Sequence, residues 1–304
     1  MNWFLIALIP PAVWAATNHF DKYLLSKYFK GGGVGALMVF SSIIGVCLLP
    51  FIYLLHPEVI NSFNPKFLLI SFNGFFYVLA VLPYFYALTK DETSVSAALF
   101  QMIPIFSYIL AYFVLGETLR TSQLLGGLVI ITGAILITLD LTDHKKIKFK
   151  KEIFGLMALS CLLFAINFLF FKFFAIQYNF WVTSFWEYIG FAVFASLLLV
   201  FVTPYRKEFF NVLKKNSLAV IAINGVNEII NIVAKVSFNI ASLLTPITLI
   251  WIVDGLQPFF IFLYGVLLTL FFPHISKENI SKRILAQKIV AILVMFVGVF
   301  LINK

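Results

Sequence analysis

The stretch Leu79–Thr138, LAVLPYFYALTKDETSVSAALFQMIPIFSYILAYFVLGETLRTSQLLGGLVIITGAILIT, decides how the chain folds. It contains three hydrophobic segments, which are separated by short polar turns at 89–93 and 116–122. Each segment has about 20 residues, enough for a helix to cross a hydrocarbon core of ~30 Å. All charged side chains of the stretch lie in the two turns, where they mark the water interfaces. The stretch therefore predicts three consecutive transmembrane helices.

The composition extends this prediction to the whole chain. Of its 304 residues, 62% are hydrophobic and only 12% are charged, whereas soluble domains carry about 25% charged residues. The formal net charge is +9, but the lysines fall in loops. We interpret them as topology signals and contacts with anionic lipid headgroups, not as a nucleic-acid surface. The chain is thus predicted to be a polytopic membrane protein in a lipid bilayer.

Ten hydrophobic segments follow one another along the chain, and we call them spans one to ten. They lie at about 3–24, 33–55, 67–89, 93–115, 120–140, 152–175, 181–203, 216–240, 244–271 and 285–302. Most basic residues lie in the loops after odd-numbered spans, as in the run 144–151. Because basic loops face the cytoplasm, the termini are predicted to lie outside the plasma or inner membrane.

The two halves of the chain correspond weakly in sequence. A shift of 154 residues places Ala87 on Ala241 and Pro104 on Pro258 without a gap, and a shift of 165 places Gly133 on Gly298. An odd number of spans per repeat turns the second copy upside down, and inverted repeats are typical of secondary transporters with a midplane substrate site. We divide the chain into two five-span repeats and a basic linker, at 1–142, 152–304 and 143–151.

The first repeat carries an ordered set of short motifs. They are Tyr86-Ala87-Leu88, a polar turn, Ser96-Ala97-Ala98, Pro104, Leu115-Gly116-Glu117, Gly126 and Gly133. In this order they resemble the EamA repeat of the drug/metabolite transporter superfamily, and a weaker copy follows in the second half. The resemblance implies an all-α fold of ten helices as two inverted five-helix repeats, with spans three, four, eight and nine around a central cavity. Pro104 and Pro258 should bend spans four and nine, and we treat both prolines as hinges.

Span eight has the most polar face of the ten. Its polar side chains are spaced by three and four residues, which places them on one side of a helix. They are Asn224, Asn227, Glu228, Asn231, Lys235, Asn239 and Ser242. Within a bilayer such a face either lines a cavity or packs against polar groups of other helices. Because a seam between helices usually needs only one or two polar residues, we favour the cavity and retain the seam as the alternative.

Three acidic residues are predicted at membrane depth, Glu187, Glu228 and Asp254. A carboxylate away from water binds a proton or a cation, because an isolated charge is costly in a low dielectric. Asp254 lies mid-span, just before Pro258, whereas Glu187 lies near its interface. The alternative is a structural ion pair, in which Lys235 binds Glu228 or Asp254.

Other candidates for substrate binding repeat at helical spacing or neighbour the acids. They are Trp14 and Asn18 in span one, Tyr77 and Tyr84 in span three, Gln101 in span four, and Trp251 and Gln257 in span nine. An aromatic ring beside a carboxylate, such as Trp251 near Asp254, suits an ammonium group through cation–π attraction. The chain contains neither a His-Glu-x-x-His nor a Gly-x-Ser-x-Gly motif, so no metal or cofactor is expected.

These features predict a secondary transporter for a small polar metabolite that carries an amine, such as an amino acid, a polyamine or a quaternary ammonium compound. A proton gradient, exchange or facilitated diffusion would drive it, in a monomer or a homodimer. A second hypothesis is an exchanger of organic anions, such as nucleotide sugars or phosphorylated metabolites, held by Lys235. Hypotheses from other classes are a membrane-embedded enzyme with Glu228 and Asp254 as an acid pair, and a non-transporting scaffold.

Overall fold

The computed structural model describes residues 3–28, 34–61, 63–90, 99–138, 151–272 and 281–304, and these residues form helices joined by short connections. The helices are α1 (Trp3–Ala7), α2 (Ile9–Lys27), α3 (Val34–Val46), α4 (Leu48–Leu55), α5 (Glu58–Asn61), α6 (Phe67–Lys90), α7 (Ile103–Leu115), α8 (Thr121–Thr138), α9 (Lys151–Gln177), α10 (Phe180–Phe201), α11 (Thr203–Leu244), α12 (Ile247–Asp254), α13 (Gln257–Phe271) and α14 (Lys282–Ile302). A short 3-10 helix, Phe100–Met102, precedes α7. The linker predicted at 143–151 lies outside the described residues except for Lys151, where α9 begins.

Eight helical segments in the described part of the chain are long and apolar enough to cross a membrane. They are Leu37–Leu55, Phe67–Ala87, Thr121–Thr138, Lys151–Gln177, Phe180–Phe201, Val220–Leu244, Ile247–Phe271 and Lys282–Ile302. These segments correspond to spans two, three and five to ten. Span one consists of α1 and α2, and the start of span four lies outside the described residues. The count of ten helices therefore stays a prediction.

Large apolar side chains cover the outside of the bundle. Phe113, Leu54 and Phe201 are each at least 75% exposed, and many other leucines, isoleucines and phenylalanines are exposed as well. In water such a surface would drive association, because soluble proteins rarely expose extended apolar patches. In lipid it is the expected outer face. The protein is therefore a multi-pass membrane protein.

Prolines interrupt the first two predicted spans. Leu8 separates α1 from α2 just before Pro10 and Pro11, and Cys47 separates α3 from α4 just before Pro50. Proline has no N–H to donate, and its ring clashes with the carbonyl group four residues earlier. Each break therefore falls within one turn before a proline.

Spans four and nine are interrupted directly before Pro104 and Pro258, the two prolines that were predicted to bend them. Pro104 lies in the first turn of α7, after the 3-10 helix, and Pro258 lies in the first turn of α13, after the break between α12 and α13. The first turn tolerates proline because its N–H groups have no partner within the helix. Each proline thus begins a new helix. Their role as hinges stays a prediction.

α11 is longer than the predicted span eight. We expected a basic loop around Arg206 and Lys214, but the chain is helical from Thr203 onward. The ring of Phe209 packs on Phe40 at 4.5 Å between centroids, while Glu228 forms a hydrogen bond with Ser41. A straight helix would separate residues 209 and 228 by about 28 Å, which two neighbouring residues of α3 cannot bridge. α11 is therefore bent, and its first turns lie along α3.

The helices pack in a few extensive pairs. α8 packs along α14, α6 packs against α9 and α10, and α2 packs against α11 and α13. α3 contacts α10 and α11, and α7 contacts α9. This arrangement brings α2, α3, α6, α9, α11 and the α12–α13 break around one internal space.

Candidate functional site

The helices enclose a cavity of about 210 Å³. The cavity residues run from Trp14 to Asp21 in span one (α1 and α2) and from Tyr77 to Phe85 in α6, so the cavity extends from the middle of the bundle toward the end where α2 and α6 end. We call this end the cavity end and the other the opposite end. Eleven of the twelve predicted site residues line the cavity, namely Trp14, Asn18, Tyr77, Tyr84, Gln101, Glu228, Asn231, Lys235, Trp251, Asp254 and Gln257. Pro104 and Pro258 line it too.

Lys235 forms a buried ion pair with Glu187. The Lys235 Nζ lies 3.3 Å from Glu187 Oε1 and 3.2 Å from Oε2, and both side chains are almost fully buried. The ammonium group also lies 4.4 Å from the ring centroids of Tyr77 and Phe168, within the range of cation–π attraction. The positive charge of Lys235 is therefore balanced within the protein.

Two asparagines complete this ion pair. Asn167 donates from Nδ2 to Glu187 Oε1 at 2.9 Å and accepts from Lys235 Nζ at 3.4 Å. Asn73 and Asn167 also donate to each other's backbone carbonyl groups, at 3.0 and 2.9 Å. The network joins α6, α9, α10 and α11 through polar atoms.

This network corrects two expectations. Lys235 was predicted to pair with Glu228 or Asp254, if with any acid, but its partner is Glu187. Glu187 was a candidate for substrate binding, yet it is fully buried between helices and is not among the residues that line the cavity. The physical reason is the close approach of α6 and α10, since a Cβ on Gly74 would collide with the backbone carbonyl of Glu187.

Asp21 and Glu228 form a second polar cluster on the cavity wall. Asn227 donates from Nδ2 to Asp21 Oδ1 at 2.7 Å, and Asn231 donates from Nδ2 to Glu228 Oε2 at 3.2 Å. Ser41 also forms a hydrogen bond with Glu228. The carboxylates are close enough to interact electrostatically. Their hydrogen-bond partners are neutral, so the two carboxyl groups lie together without a cation from the described residues.

Asp254 lies apart from this cluster, at the end of α12. Its Oδ1 atom is buried without a hydrogen-bond partner among the described residues, and so is Oε1 of Gln101. The Gln101 Oε1 atom lies close to the backbone of Gly255, the residue that follows Asp254. Two residues of the cavity wall that lie near each other thus each have a buried acceptor atom without a donor among the described residues.

Aromatic rings form much of the remaining wall. Phe168 lies 4.5 Å from Phe238 and 5.0 Å from Trp251 between ring centroids. Trp14 packs beside the same two phenylalanines and donates from Nε1 to Asn231 Oδ1 at 2.8 Å. Tyr84 donates to Asn18 Oδ1 at 3.3 Å. These contacts fix the side chains that face the cavity.

The polar face of α11 divides between the two alternatives considered from the sequence. Its central part, which includes Asn227, Glu228, Asn231 and Lys235, lines the cavity. Asn224, Asn239 and Ser242 are buried but do not line it. Ser242 donates to the Asn239 carbonyl group at 2.7 Å. The face is thus cavity wall at its centre and helix contact at its ends.

A further buried ion pair lies at the opposite end. Lys172 contacts Glu117 and donates to the Thr245 carbonyl group at 2.8 Å. Glu117 Oε2 accepts the backbone N–H of Ile247, the first residue of α12, at 2.8 Å. Lys172 is buried between three connections. It ties the turn after α7, the end of α9 and the start of α12 together.

The sequence reasoning missed several cavity residues. Asp21, Thr17, Ser41 and Ser42 line the cavity. The signal for Asp21 was available, because residues 14, 18 and 21 share one helical face with spacings of four and three. Ser41 and Ser42 stand alone in an apolar span, where a serine gives no distinctive pattern.

A bundle of membrane-spanning helices around one internal cavity that is lined by buried carboxyl groups and apolar side chains defines a polytopic α-helical membrane protein. The model of the EamA-like transporter family matches residues 1–139. Residues 1–139 are therefore similar to the EamA-like transporter family, which is part of the drug/metabolite transporter superfamily. Residues 140–304 lie outside the matched segment.

One solved structure, whose title reads only "Crystal structure of protein", covers 98% of this chain and 95% of its own chain, with a TM-score of 0.69. At 15% sequence identity the likeness concerns the fold alone. A comparison with curated protein sequences finds no match.

Proposed function

We propose that the protein is a secondary transporter that moves a small amine-bearing metabolite by alternating access. One observation carries the proposal. Asp21, Glu228 and Asp254 line the cavity without a cationic partner from the described residues, while the charge of Lys235 is balanced by Glu187. A buried carboxylate is stable when a proton or a cation neutralises it. A metabolite with an ammonium group would do so.

Reciprocal helix packing supports the two inverted repeats that alternating access requires. In the proposed correspondence α2 is the counterpart of α9, α6 of α11 and α7 of α13. α2 packs on α11 and α13, and its counterpart α9 packs on α6 and α7. Likewise α3 packs on α11, and its counterpart α10 packs on α6. An inverted repeat relates these contacts by a two-fold axis.

The contact between α8 and α14 supports the same symmetry. A Cβ on Gly298 would lie 2.7 Å from the Gly126 carbonyl oxygen, and one on Gly133 would lie 2.9 Å from the Ala291 carbonyl oxygen. The shift of 165 residues that relates Gly133 to Gly298 also relates Gly126 to Ala291. Each of these contacts is therefore the image of the other.

The closed state of the opposite end fits one step of an alternating cycle. The cavity lies toward the cavity end, whereas Glu117 and Lys172 tie three connections together at the opposite end. The positive-inside count assigns the cavity end to the cytoplasm. Labelling of Lys207→Cys, an exposed position at that end, by a membrane-impermeant thiol reagent tests this orientation.

An organic anion is the less favoured substrate. Lys235 was the residue that would hold it, but this lysine is buried against Glu187 and two aromatic rings. A phosphate group would have to displace Glu187, and it would meet the three carboxylates of the wall. Electrostatic repulsion makes such binding unfavourable.

Uptake into proteoliposomes tests the proposal. Labelled amines and labelled phosphorylated sugars are compared for the wild-type protein, for Asp254→Asn and for the control Glu58→Gln, which removes an exposed acid outside the cavity. We expect amines to be transported unchanged, at least about tenfold more slowly by Asp254→Asn, because one charge-assisted contact is lost. Wild-type uptake by Asp254→Asn, or uptake of phosphorylated sugars alone, would refute the proposal.

A further inference from the structure

We propose that the cavity contains two separate ammonium sites and that the transported metabolite is a linear diamine or polyamine. This inference rests on the proposed transport of amines and narrows its substrate class. The first site consists of Asp254 and Gln101, and the second consists of Asp21 and Glu228. A chain of methylene groups would connect the two ammonium groups across the cavity.

The first site requires a hydrogen-bond donor. Gln101 is only 7% exposed, and its Oε1 atom has no hydrogen-bond partner among the described residues. The Oδ1 atom of Asp254 also has no hydrogen-bond partner among the described residues. An ammonium group offers three N–H donors and no acceptor. It can satisfy both oxygens at once, which a substrate hydroxyl group with its single hydrogen cannot do.

The second site requires a positive charge. Asp21 and Glu228 interact electrostatically, and the partners recorded for their side chains are the neutral groups of Asn227, Asn231 and Ser41. Asn227 is 2% exposed, and its Oδ1 atom has no partner among the described residues. Two neighbouring carboxylates cannot both stay ionised away from water without a cation. A second ammonium group would neutralise one charge and donate to the orphaned amide oxygen.

The two sites are distinct but share one cavity. Asp21 and Glu228 are held by Asn227 and Asn231 of α11, whereas Asp254 lies at the end of α12, next to Gly255, whose backbone the Gln101 Oε1 atom approaches. All three acids line the same cavity, together with apolar side chains such as Val78, Val81 and Ile232. This combination of separated anionic ends and apolar walls suits a molecule with charged ends and a hydrocarbon middle.

The same geometry disfavours amino acids. The carboxylate of an amino acid would need a cationic partner, and the cavity lysine is already paired with Glu187. Substrates with one ammonium group would satisfy only one of the two sites. The other site would then keep buried charge without a counterion, which costs free energy.

Thermal unfolding of the full chain in detergent tests the inference first on the wild-type protein. The probes are putrescine, cadaverine and spermidine, with butylamine and leucine as single-ammonium comparisons. A ligand that binds the folded state raises the melting temperature by mass action. We expect diamines to bind about 10- to 100-fold more tightly than butylamine, as one further charge-assisted contact implies.

Variants then separate the two sites. Asp254→Asn and Asp21→Asn should each reduce the affinity for putrescine to about that for butylamine, while Glu58→Gln should leave both affinities unchanged. Equal affinities of the wild-type protein for butylamine and putrescine would overturn the two-site proposal but leave amine transport standing. If Asp254→Asn abolishes putrescine binding and Asp21→Asn leaves it unchanged, the two-site proposal is likewise overturned and amine transport still stands. Stabilisation by none of the amines would overturn both proposals.

Discussion

The ion pair of Lys235 and Glu187 is the most deeply buried charge contact of the described residues. Glu187 is fully buried, and Lys235 is 3% exposed. Removal of one partner from such a pair leaves an uncompensated charge, at a cost of about 3–5 kcal/mol. We therefore expect Glu187→Gln to lower the thermal stability of the protein in detergent strongly.

A matched double variant separates charge from packing in this test. Lys235→Met retains most of the side-chain volume, so Glu187→Gln with Lys235→Met removes both charges and leaves a filled core. It should recover most of the stability lost in the single variant, because replacing a buried pair by apolar groups is often nearly neutral. If the single variant Glu187→Gln unfolds at the same temperature as the wild-type protein, the ion pair does not stabilise the fold.

At the level of single residues, the sequence indicated most of the polar side chains of the cavity wall. Polar spacing identified Glu228, Asn231 and Lys235, because a polar stripe in an apolar helix has few alternatives. The partner of Lys235 could not be predicted, since it depends on how closely α6 approaches α10. Asp21 was overlooked because it lies beside Lys22 near the end of an apolar segment, where charged residues normally mark an interface.

Among the helices, α12 has an unusual attachment at its first residue. Glu117 accepts the backbone N–H of Ile247 and pairs with Lys172. Glu117→Gln would leave the buried ammonium group of Lys172 without its counterion. We expect a loss of about 1.5–3 kcal/mol in thermal stability, as for a charge-assisted hydrogen bond.

A double-mutant cycle isolates this contact. Lys172→Met alone and together with Glu117→Gln should give a stability loss smaller than the sum of the single losses. Arg120→Gln, at an exposed position of the same turn, serves as the control and should be neutral. Additive losses would show that Glu117 and Lys172 act independently, contrary to their assigned contact.

Helix boundaries were predicted correctly where a hydrophobic segment ends. They were missed where a helix breaks inside an apolar run or begins in a polar one. The segments at 67–89 and 120–140 agree with α6 and α8 within a few residues. The breaks at Leu8 and Cys47 were missed because they lie inside apolar runs, where only the prolines that follow give a signal. The helical start of α11 was missed because a basic, polar run reads as a loop, although it packs along α3.

For the whole molecule, the packing of the helices is best tested at the close contact between α8 and α14. Leucine in place of Gly298 would project into the Gly126 backbone and Ile130. Overpacking of this kind should cost about 3 kcal/mol or more. We expect Gly298→Leu to reduce the yield of monodisperse protein and its melting temperature.

A control is available in α9. At Gly155 an added Cβ would meet nothing within 4 Å, so Gly155→Leu changes the same residue type within a helix without a collision. It should behave as the wild-type protein does. Similar losses in both variants would mean that leucine destabilises these helices irrespective of the contact between α8 and α14.

The overall architecture was the most predictable feature, because a membrane restricts the choice to helices long enough to cross it. The similarity of residues 1–139 to the EamA-like family was indicated by the motifs around Pro104 and Gly126, and the multi-pass helical fold by the hydrophobic segments. The inverted repeat stays a proposal, since one residue match such as Ala87 with Ala241 carries little weight alone. Which helices enclose the cavity depends on contacts between residues far apart in the chain.

The position of α12 has a consequence for the energetics of binding. Its first residue, Ile247, is held by Glu117, and its last residue, Asp254, lies on the cavity wall. One short helix, about 10 Å long, therefore joins the contact with Glu117 directly to the cavity wall. If a ligand at Asp254 weakens the hold of Glu117 on Ile247, thermodynamic reciprocity requires that a weakened hold changes ligand affinity by the same factor. The affinity of the cavity for its ligand then reports on an ion pair that the ligand never touches.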